Sequence, residues 1–192
     1  VFLIVVIVAG AAGISSGIGI MNGIISSAPD ISKIDVTPTG YSTTVLAANG
    51  EETATLVGQG ANRQYVTIDE IPLDLQHAFV AIEDERFYKH NGIDLHGIGR
   101  AFLSGLSKGS FTEGASTITQ QLIKNNVLTS WTSETSFVEK LQRKIQEQYL
   151  AVKLEEQVQD KDWILENYLN SINLGANTLG VQAASQKYFG KD

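Results

Sequence analysis

The sequence changes from apolar to charged over one short stretch, Ala81-Ile82-Glu83-Asp84-Glu85-Arg86-Phe87-Tyr88-Lys89-His90-Asn91-Gly92. If residues 73–90 form a helix, the helical period brings four apolar side chains near one face, Leu75, Phe79, Ile82 and Phe87. This face predicts that Glu83 lies at the margin between the packed interior and solvent. A carboxylate at such a margin loses hydration and becomes a better proton acceptor. The charge run by itself more often marks an ordinary solvated helix surface.

The first 29 residues contain no charged side chain, and residues 1–8 are all Val, Phe, Leu or Ile. This run exceeds the roughly 20 residues that a helix needs to cross a bilayer, so it predicts a transmembrane helix over residues 1–27. The alternative is the apolar part of a cleaved signal peptide, which is normally about 7 to 15 residues long. Residues 28–42 hold two of the three prolines and read as a linker after the helix.

The composition limits the classes of function. The chain has 192 residues, 43% of them hydrophobic, which is enough for one globular domain and an appendage. A net charge of -7 argues against a nucleic-acid partner. The absence of cysteine excludes disulfides and fits either side of a membrane.

The remaining residues, 43–192, predict a mainly helical domain with a small β-hairpin near its start. Two β-prone runs, residues 43–46 and 53–57, flank Asn49-Gly50, a strong hairpin signal. Beyond residue 72 the apolar residues recur at helical spacing, and the predicted helices lie within residues 73–90, 95–107, 115–126, 136–159, 160–172 and 181–188.

Several polar side chains on these helices have more than one interpretation. Gln121 and Lys124 share a face of their helix, which a capped surface helix also explains. Arg143 and Glu147 form an i,i+4 pair, which on an exposed face stabilises a helix by only about 0.3 to 0.5 kcal/mol. Each segment alone is therefore compatible with an ordinary structural role.

Taken in order, however, the segments resemble a known family. Residues 83–92 match E-D-x-x-F-x-x-H-x-G, residues 114–121 match G-x-S-T-I-T-Q-Q, and residues 143–147 match R-K-x-x-E. Residues 161–170 resemble K-x-x-I-L-x-x-Y-L-N, and residues 180–191 resemble the last family motif. The chain thus resembles the glycosyltransferase domain of class A penicillin-binding proteins and monofunctional peptidoglycan glycosyltransferases, the family 51 glycosyltransferases.

The resemblance implies a lysozyme-like helical fold behind a single-pass anchor in the cell membrane, with the catalytic domain outside the cytoplasm. It implies an enzyme that polymerises lipid II into β-1,4 glycan strands by inverting transfer, releasing undecaprenyl pyrophosphate. The family domain continues with further helices, so residues 43–192 are expected to be its C-terminally truncated part. The alternative with the same fold is a muramidase or lytic transglycosylase, which cleaves glycan.

The resemblance also implies roles for individual residues. Glu83 matches the general base and Glu147 the second catalytic acid. The implied substrate-binding residues are Asp84, Arg86, Ser116, Gln120, Gln121, Lys124, Arg143, Lys144 and Tyr168. The family often uses a divalent cation, Mg²⁺ or Mn²⁺, for which Asp84 is a weak candidate ligand and no dedicated metal site is expected. The implied partners are lipid II, the growing glycan strand, the membrane, moenomycin-type inhibitors and other proteins of cell-wall synthesis.

Overall fold

The computed structural model describes residues 15–33, 35–56, 58, 62–108, 114–176 and 178–191. The fold is mainly helical with one two-stranded sheet, as the sequence predicts. Helix α1 covers residues 15–26 of the described part. The other elements are strands β1 (Thr43–Leu46) and β2 (Glu52–Leu56) and helices α2 (Leu73–Glu83), α3 (Leu95–Lys108), α4 (Ile118–Asn126), α5 (Phe137–Val158), α6 (Lys161–Ser171) and α7 (Val181–Phe189).

The predicted transmembrane helix over residues 1–27 lies partly outside the described residues, which begin at residue 15. Within the described ranges, no helix combines the length and the apolar character needed to cross a membrane. The end of α1 contacts α5, because Gln146 Nε2 donates to the Ile24 carbonyl at 3.3 Å and to Ser27 Oγ at 3.1 Å.

The hairpin predicted around Asn49-Gly50 is confirmed. Strands β1 and β2 pair antiparallel from Thr43 opposite Leu56, with an irregularity after Val45. Every described residue of both strands is exposed, so the hairpin lies outside the core. Val57, which the prediction placed in the second strand, lies outside the described residues.

The core is built around α4, a helix of nine residues that packs against both α5 and α6. Ile118, Leu122 and Ile123 of α4 are fully buried. Their buried neighbours on α5 and α6 are Leu150, Leu154, Ile164, Leu165 and Leu169. A helix this short is marginal alone in water, so tertiary packing and its Thr117 N-cap hold it in place.

Helix α2 differs from its prediction, because it ends at Glu83 and a short 3₁₀ turn covers Phe87–Lys89. Phe87 is fully buried, but Leu75 is 38% exposed and Ile82 is 82% exposed, so the predicted common apolar face is wrong. The expectation that Glu83 is half-buried is also wrong, since Glu83 is exposed. The chain leaves the helix here because tertiary contacts hold the next side chain, Asp84, inside the protein.

The loop after α2 approaches α5 closely at Gly92, where φ is +84°. A Cβ atom at this position would lie 2.6 Å from the Ala151 carbonyl carbon and 2.8 Å from the Val152 nitrogen. These are backbone atoms inside a helix and cannot easily move away. Position 92 therefore needs glycine both for its dihedral angle and for space.

We expect Gly92→Ala to lower the free energy of unfolding by about 3 kcal/mol, because backbone strain and the clash with α5 add together. Gly50→Ala is the matched control: its φ is +86°, and no atom of the described residues lies within 4 Å of the added Cβ. It should cost only about 1 kcal/mol. Denaturant unfolding measures both variants, and equal losses would contradict the proposed contact.

Candidate active site

Glu83 lies at the end of α2, where two depressions of the surface meet. The first, called the large groove here, has a volume of about 420 Å³ and is lined by residues that include Glu83, Arg63, Gln121, Lys124, Trp131 and Tyr168. The second, called the small cleft, has a volume of about 140 Å³ and is lined by residues that include Glu83, Asp84, Arg86, Asp94, Arg100 and Ser116. One carboxylate thus borders both spaces, and each space also contains arginine or lysine.

The Glu83 carboxylate is held by α4. Gln121 Nε2 donates to Glu83 Oε2 at 2.8 Å, and the Tyr168 hydroxyl of α6 lies 3.4 Å from Gln121 Oε1. Tyr168 is only 2% exposed. Burial raises the pKa of the Tyr168 phenol, and the negative charge of Glu83 raises it further. The phenol therefore stays protonated and remains able to donate.

Asp84, the residue after Glu83, has a structural position. His90 Nε2 lies 2.9 and 3.0 Å from its two carboxylate oxygens, and the Ile118 backbone N–H donates to Oδ2 at 3.0 Å. Asp84 is 6% exposed, so its carboxylate fastens the start of α4 beside Glu83. Asp84 was predicted to bind substrate, and it does line the small cleft. Its carboxylate oxygens, however, are already bonded within the protein.

The divalent cation that the family resemblance implies stays a prediction, and the Asp84 carboxylate is poorly available to bind it. Mg²⁺ usually keeps several waters and is bound by one or two carboxylates together with substrate phosphates. Both Asp84 oxygens are engaged with His90, and the described residues contain no group of three His, Asp or Glu side chains that could hold a metal ion. No chemical step is therefore assigned to a metal here.

In the small cleft, Asp94 holds the Arg86 guanidinium through two contacts. Arg86 contacts Asp94 through Nη2 to Oδ2 at 2.5 Å and Nε to Oδ1 at 3.2 Å. Burial opposes the charged form of Asp94, but hydrogen bonds from Arg86 and from the Gly97 N–H keep its pKa below the ordinary value. Asp94 therefore stays charged and fixes the Arg86 guanidinium. It also accepts a hydrogen bond from the Gly97 N–H in the first turn of α3.

The predicted residues of the R-K-x-x-E motif form an ion cluster around the buried Glu147 carboxylate. Glu147 is 1% exposed, forms an ion pair with Arg143 and accepts from Lys144 Nζ at 2.7 Å. Lys144 Nζ also donates to Ser116 Oγ at 2.6 Å, which brings its charge to the small cleft. The Nε of Arg143 instead donates to Glu134 at 2.8 Å, in a separate hollow between α5 and the preceding turn.

The structure thus divides the predicted site residues. Gln121, Lys124 and Tyr168 share the large groove with Glu83, and Lys124 Nζ lies 4.7 Å from the centre of the Trp131 ring. Gln120 is 1% exposed and donates to the Gly92 carbonyl at 3.3 Å, so it lies in the interior and lines neither space as the described residues form them. The substrate-binding role expected of Gln120 is therefore not matched by its position.

Sequence reasoning missed Arg63, Trp131 and Arg100, which line the two spaces. Arg63 reaches the large groove from the segment before α2 and donates to the Ser171 carbonyl at 3.4 Å. The local signal was one arginine in an extended run, which does not identify a site. Its position depends on a contact across 108 residues of sequence.

Comparison with known proteins assigns the family. The transglycosylase family model matches residues 49–192. The chain belongs to the transglycosylase family. This transglycosylase chain is 43% identical over 178 residues, 91% of its length, to penicillin-binding protein 1A of Clostridium novyi. It is 39% identical over 188 residues, 98% of its length, to penicillin-binding protein 1A/1B of Bacillus subtilis.

A third relative, penicillin-binding protein 1A of Clostridium perfringens, is 51% identical over 134 residues, 68% of this chain. The matched regions make up 20%, 19% and 19% of these three relatives, so the transglycosylase chain spans about a fifth of their length.

We expect Asp84→Ala to lower the free energy of unfolding by about 3 kcal/mol. The substitution removes the acceptor for the buried Ile118 N–H and leaves His90 without this partner. Glu85→Ala is the matched control, because Glu85 is the next acid in the chain and is exposed. It should change stability by less than about 0.5 kcal/mol. If denaturant unfolding gives the same stability for both variants, Asp84 does not fasten α4.

Proposed function

We propose that this chain is a peptidoglycan glycosyltransferase that polymerises lipid II into β-1,4 glycan strands, with inversion at the anomeric carbon and release of undecaprenyl pyrophosphate. The observation that carries the proposal is the position of Glu83, which borders two spaces that both contain cationic side chains. Membership of the transglycosylase family supports the class of reaction.

The reaction needs a base between two bound substrates. A sugar hydroxyl is a weak nucleophile, so a carboxylate must take its proton while the oxygen attacks the anomeric carbon of the donor. Glu83 is exposed to both the large groove and the small cleft, and its Oε2 accepts a hydrogen bond from Gln121 Nε2. It can therefore accept a proton from a hydroxyl placed where the two spaces meet.

Both substrates of this reaction carry pyrophosphate, so each binding space needs positive charge. The large groove supplies Lys124 and Arg63. The small cleft supplies Arg86 and Arg100, and Lys144 reaches its lining residue Ser116. Cations fixed in place before the reaction stabilise the charge that gathers on the leaving pyrophosphate. In this proposal Glu147 acts by holding Lys144, and Arg143 acts by pairing with Glu147.

The geometry favours synthesis over the cleavage reaction of a muramidase or lytic transglycosylase. Glycan cleavage requires a protonated carboxylic acid, usually kept neutral by an apolar pocket. Glu83 is instead exposed and accepts a hydrogen bond from Gln121, so it does not lie in such a pocket. Glu147 is 1% exposed and paired with two cations, so it is not available as a second catalytic carboxylate at the sugar.

Glu83→Gln tests the proposed base. The amide keeps the shape of the side chain but cannot accept the proton, so we expect polymerisation by the full-length protein to fall by about 10²- to 10⁴-fold while lipid II binding persists. Gel electrophoresis of labelled lipid II measures the product.

Glu156→Gln is the matched control for this substitution, because Glu156 is an exposed acid on α5 that pairs with Lys153. It should polymerise lipid II at the wild-type rate. Full polymerisation by Glu83→Gln would refute the proposed base, and release of fragments from finished cell wall would instead support the cleavage reaction.

We also place the protein in the cell membrane, with a single span and the catalytic domain outside the cytoplasm. The charge-free residues 1–29 support an anchor. Helix α3 supports contact with lipid, because it exposes four large apolar side chains, Leu95, Phe102, Leu103 and Leu106. Arg100 of the same helix lines the small cleft, so this apolar surface adjoins the space proposed for a lipid-linked substrate.

Moenomycin-type phosphoglycolipids and other cell-wall synthesis proteins are further proposed partners.

Leu103→Glu tests the role of α3. A charge on this apolar surface should lower polymerisation of lipid II embedded in vesicles by about tenfold, because burying a charge at a bilayer surface is unfavourable. The rate with a short-chain, soluble lipid II analogue should stay unchanged. Leu46→Glu is the matched control, since Leu46 is 59% exposed on the hairpin. Equal losses with both substrates would show that α3 acts without contacting lipid.

A further inference from the structure

The exposed Glu83 carboxylate needs an external contact to hold one orientation. A glutamate at a helix end has three rotatable side-chain bonds. To act as a base, its oxygen must lie within about 3 Å of the oxygen or nitrogen that carries the proton. Gln121 Nε2 supplies such a contact by donating to Glu83 Oε2 at 2.8 Å, and among the described residues this is the hydrogen bond that the carboxylate accepts. The other oxygen, Oε1, is the one that this bond leaves for a substrate.

The orientation of the Gln121 amide follows from its two neighbours. A carboxylate accepts hydrogen bonds and repels a carbonyl oxygen, so the NH₂ group must face Glu83. The amide oxygen then faces Tyr168, whose hydroxyl lies 3.4 Å away and can donate. Tyr168 is 2% exposed, so its hydroxyl has a fixed position.

Tyr168 is also tied to the helix that carries Glu83. Its ring packs edge-to-face against Phe79, with centroids 6.3 Å apart. Phe79 precedes Glu83 by four residues on α2, so both side chains lie on the same side of that helix. Tyr168 therefore contacts α2 directly through Phe79 and indirectly through Gln121, so the three helices α2, α4 and α6 close a ring of contacts that includes the Glu83 carboxylate.

We propose that Gln121 is a positioning residue for Glu83, which selects Oε1 as the oxygen that accepts the proton, and that Tyr168 fixes the orientation of the Gln121 amide. The inference rests on the proposed function. In the step it describes, the O–H bond of the acceptor hydroxyl breaks and its proton moves to Oε1. The hydroxyl oxygen forms the new bond to the anomeric carbon, and the bond from that carbon to pyrophosphate breaks with its electron pair leaving on the phosphate.

Except for Tyr168, whose hydroxyl loses its Gln121 partner, the other charged and titratable groups around Glu83 keep their contacts when Gln121 is changed. The two spaces that Glu83 borders are lined by the charged or titratable residues Arg63, Lys124, Tyr168, Asp84, Glu85, Arg86, Asp94 and Arg100. A difference between the wild type and a Gln121 variant therefore reports the loss of the amide.

The test compares kcat, KM and the pH profile of kcat/KM for full-length variants on lipid II. Gln121→Leu should lower kcat by about 10- to 100-fold with little change in KM, because the base loses its orientation. It should also move the acid limb of the profile to higher pH, because a hydrogen bond donated to a carboxylate stabilises its charged form and the variant lacks that donor. Gln121→Glu should move the acid limb further, because it places a second carboxylate beside the first.

Tyr168→Phe provides a milder second variant, because it removes only the hydroxyl and keeps the buried ring. It should lower kcat about threefold and move the acid limb in the same direction by a smaller amount. Gln157→Glu is the matched control: Gln157 is exposed on α5 and outside the lining of both spaces, so adding a charge there should change none of the three quantities.

Two results would overturn the inference. A higher KM with unchanged kcat and an unchanged acid limb in Gln121→Leu would make Gln121 a substrate contact, and wild-type behaviour would remove any role. Glu83→Gln in the same assay separates these results from a failure of the proposed function. If Glu83→Gln is inactive while Gln121→Leu behaves as wild type, Glu83 remains the base and only the positioning role is lost.

Discussion

The contact between Asp84 and the start of α4 determines the geometry of the site. A buried carboxylate without partners would be strongly destabilising, and Asp84 avoids this by accepting from His90 and from the Ile118 N–H. Asp84 begins the segment 84–92 that follows α2. The other end of this segment is also fastened at the start of α4, because Thr117 Oγ1 donates to the Gly92 carbonyl at 2.7 Å. The loop is thus held at both ends, and Glu83 lies immediately before it. The position of the Glu83 carboxylate therefore depends on the buried residues next to it.

Two ion pairs at the small cleft explain how a protein with a net charge of -7 can suit the anionic substrate proposed above. In each pair, a lysine or arginine at the cleft is held by a less exposed acid. The side chain of Asp94 is 14% exposed and that of its partner Arg86 is 29% exposed. Glu147 is 1% exposed and Lys144 is 39% exposed. The acid, which is the less exposed member of each pair, fixes the cation, and the more exposed cation is left to meet a phosphate.

The sequence predicted the elements whose signals are local. Asp160 was expected near the start of its helix, and its side chain accepts from the Trp163 N–H as an N-cap. Gln121 and Lys124 were expected on one helix face and both line the large groove. The errors come from long-range contacts. Asp84 ends α2 because it bonds Ile118, 34 residues later, and Arg63 enters the groove through a contact with Ser171. Helical periodicity carries no information on either pair.

The exposure of Glu83 matters for the chemistry as well as for the prediction. A base in water is well hydrated and reacts weakly, but Glu83 borders both spaces, so substrates filling them would cover it from two sides. Excluding water from a carboxylate strengthens its attraction for a nearby proton. If Glu83 is the base proposed here, its strength would then depend on both substrates being present, whereas its hydrogen bond with Gln121 forms in their absence. In the proposed reaction, which joins two sugars without hydrolysing either one, such a base would be aligned first and would become strong only when the acceptor hydroxyl has replaced water.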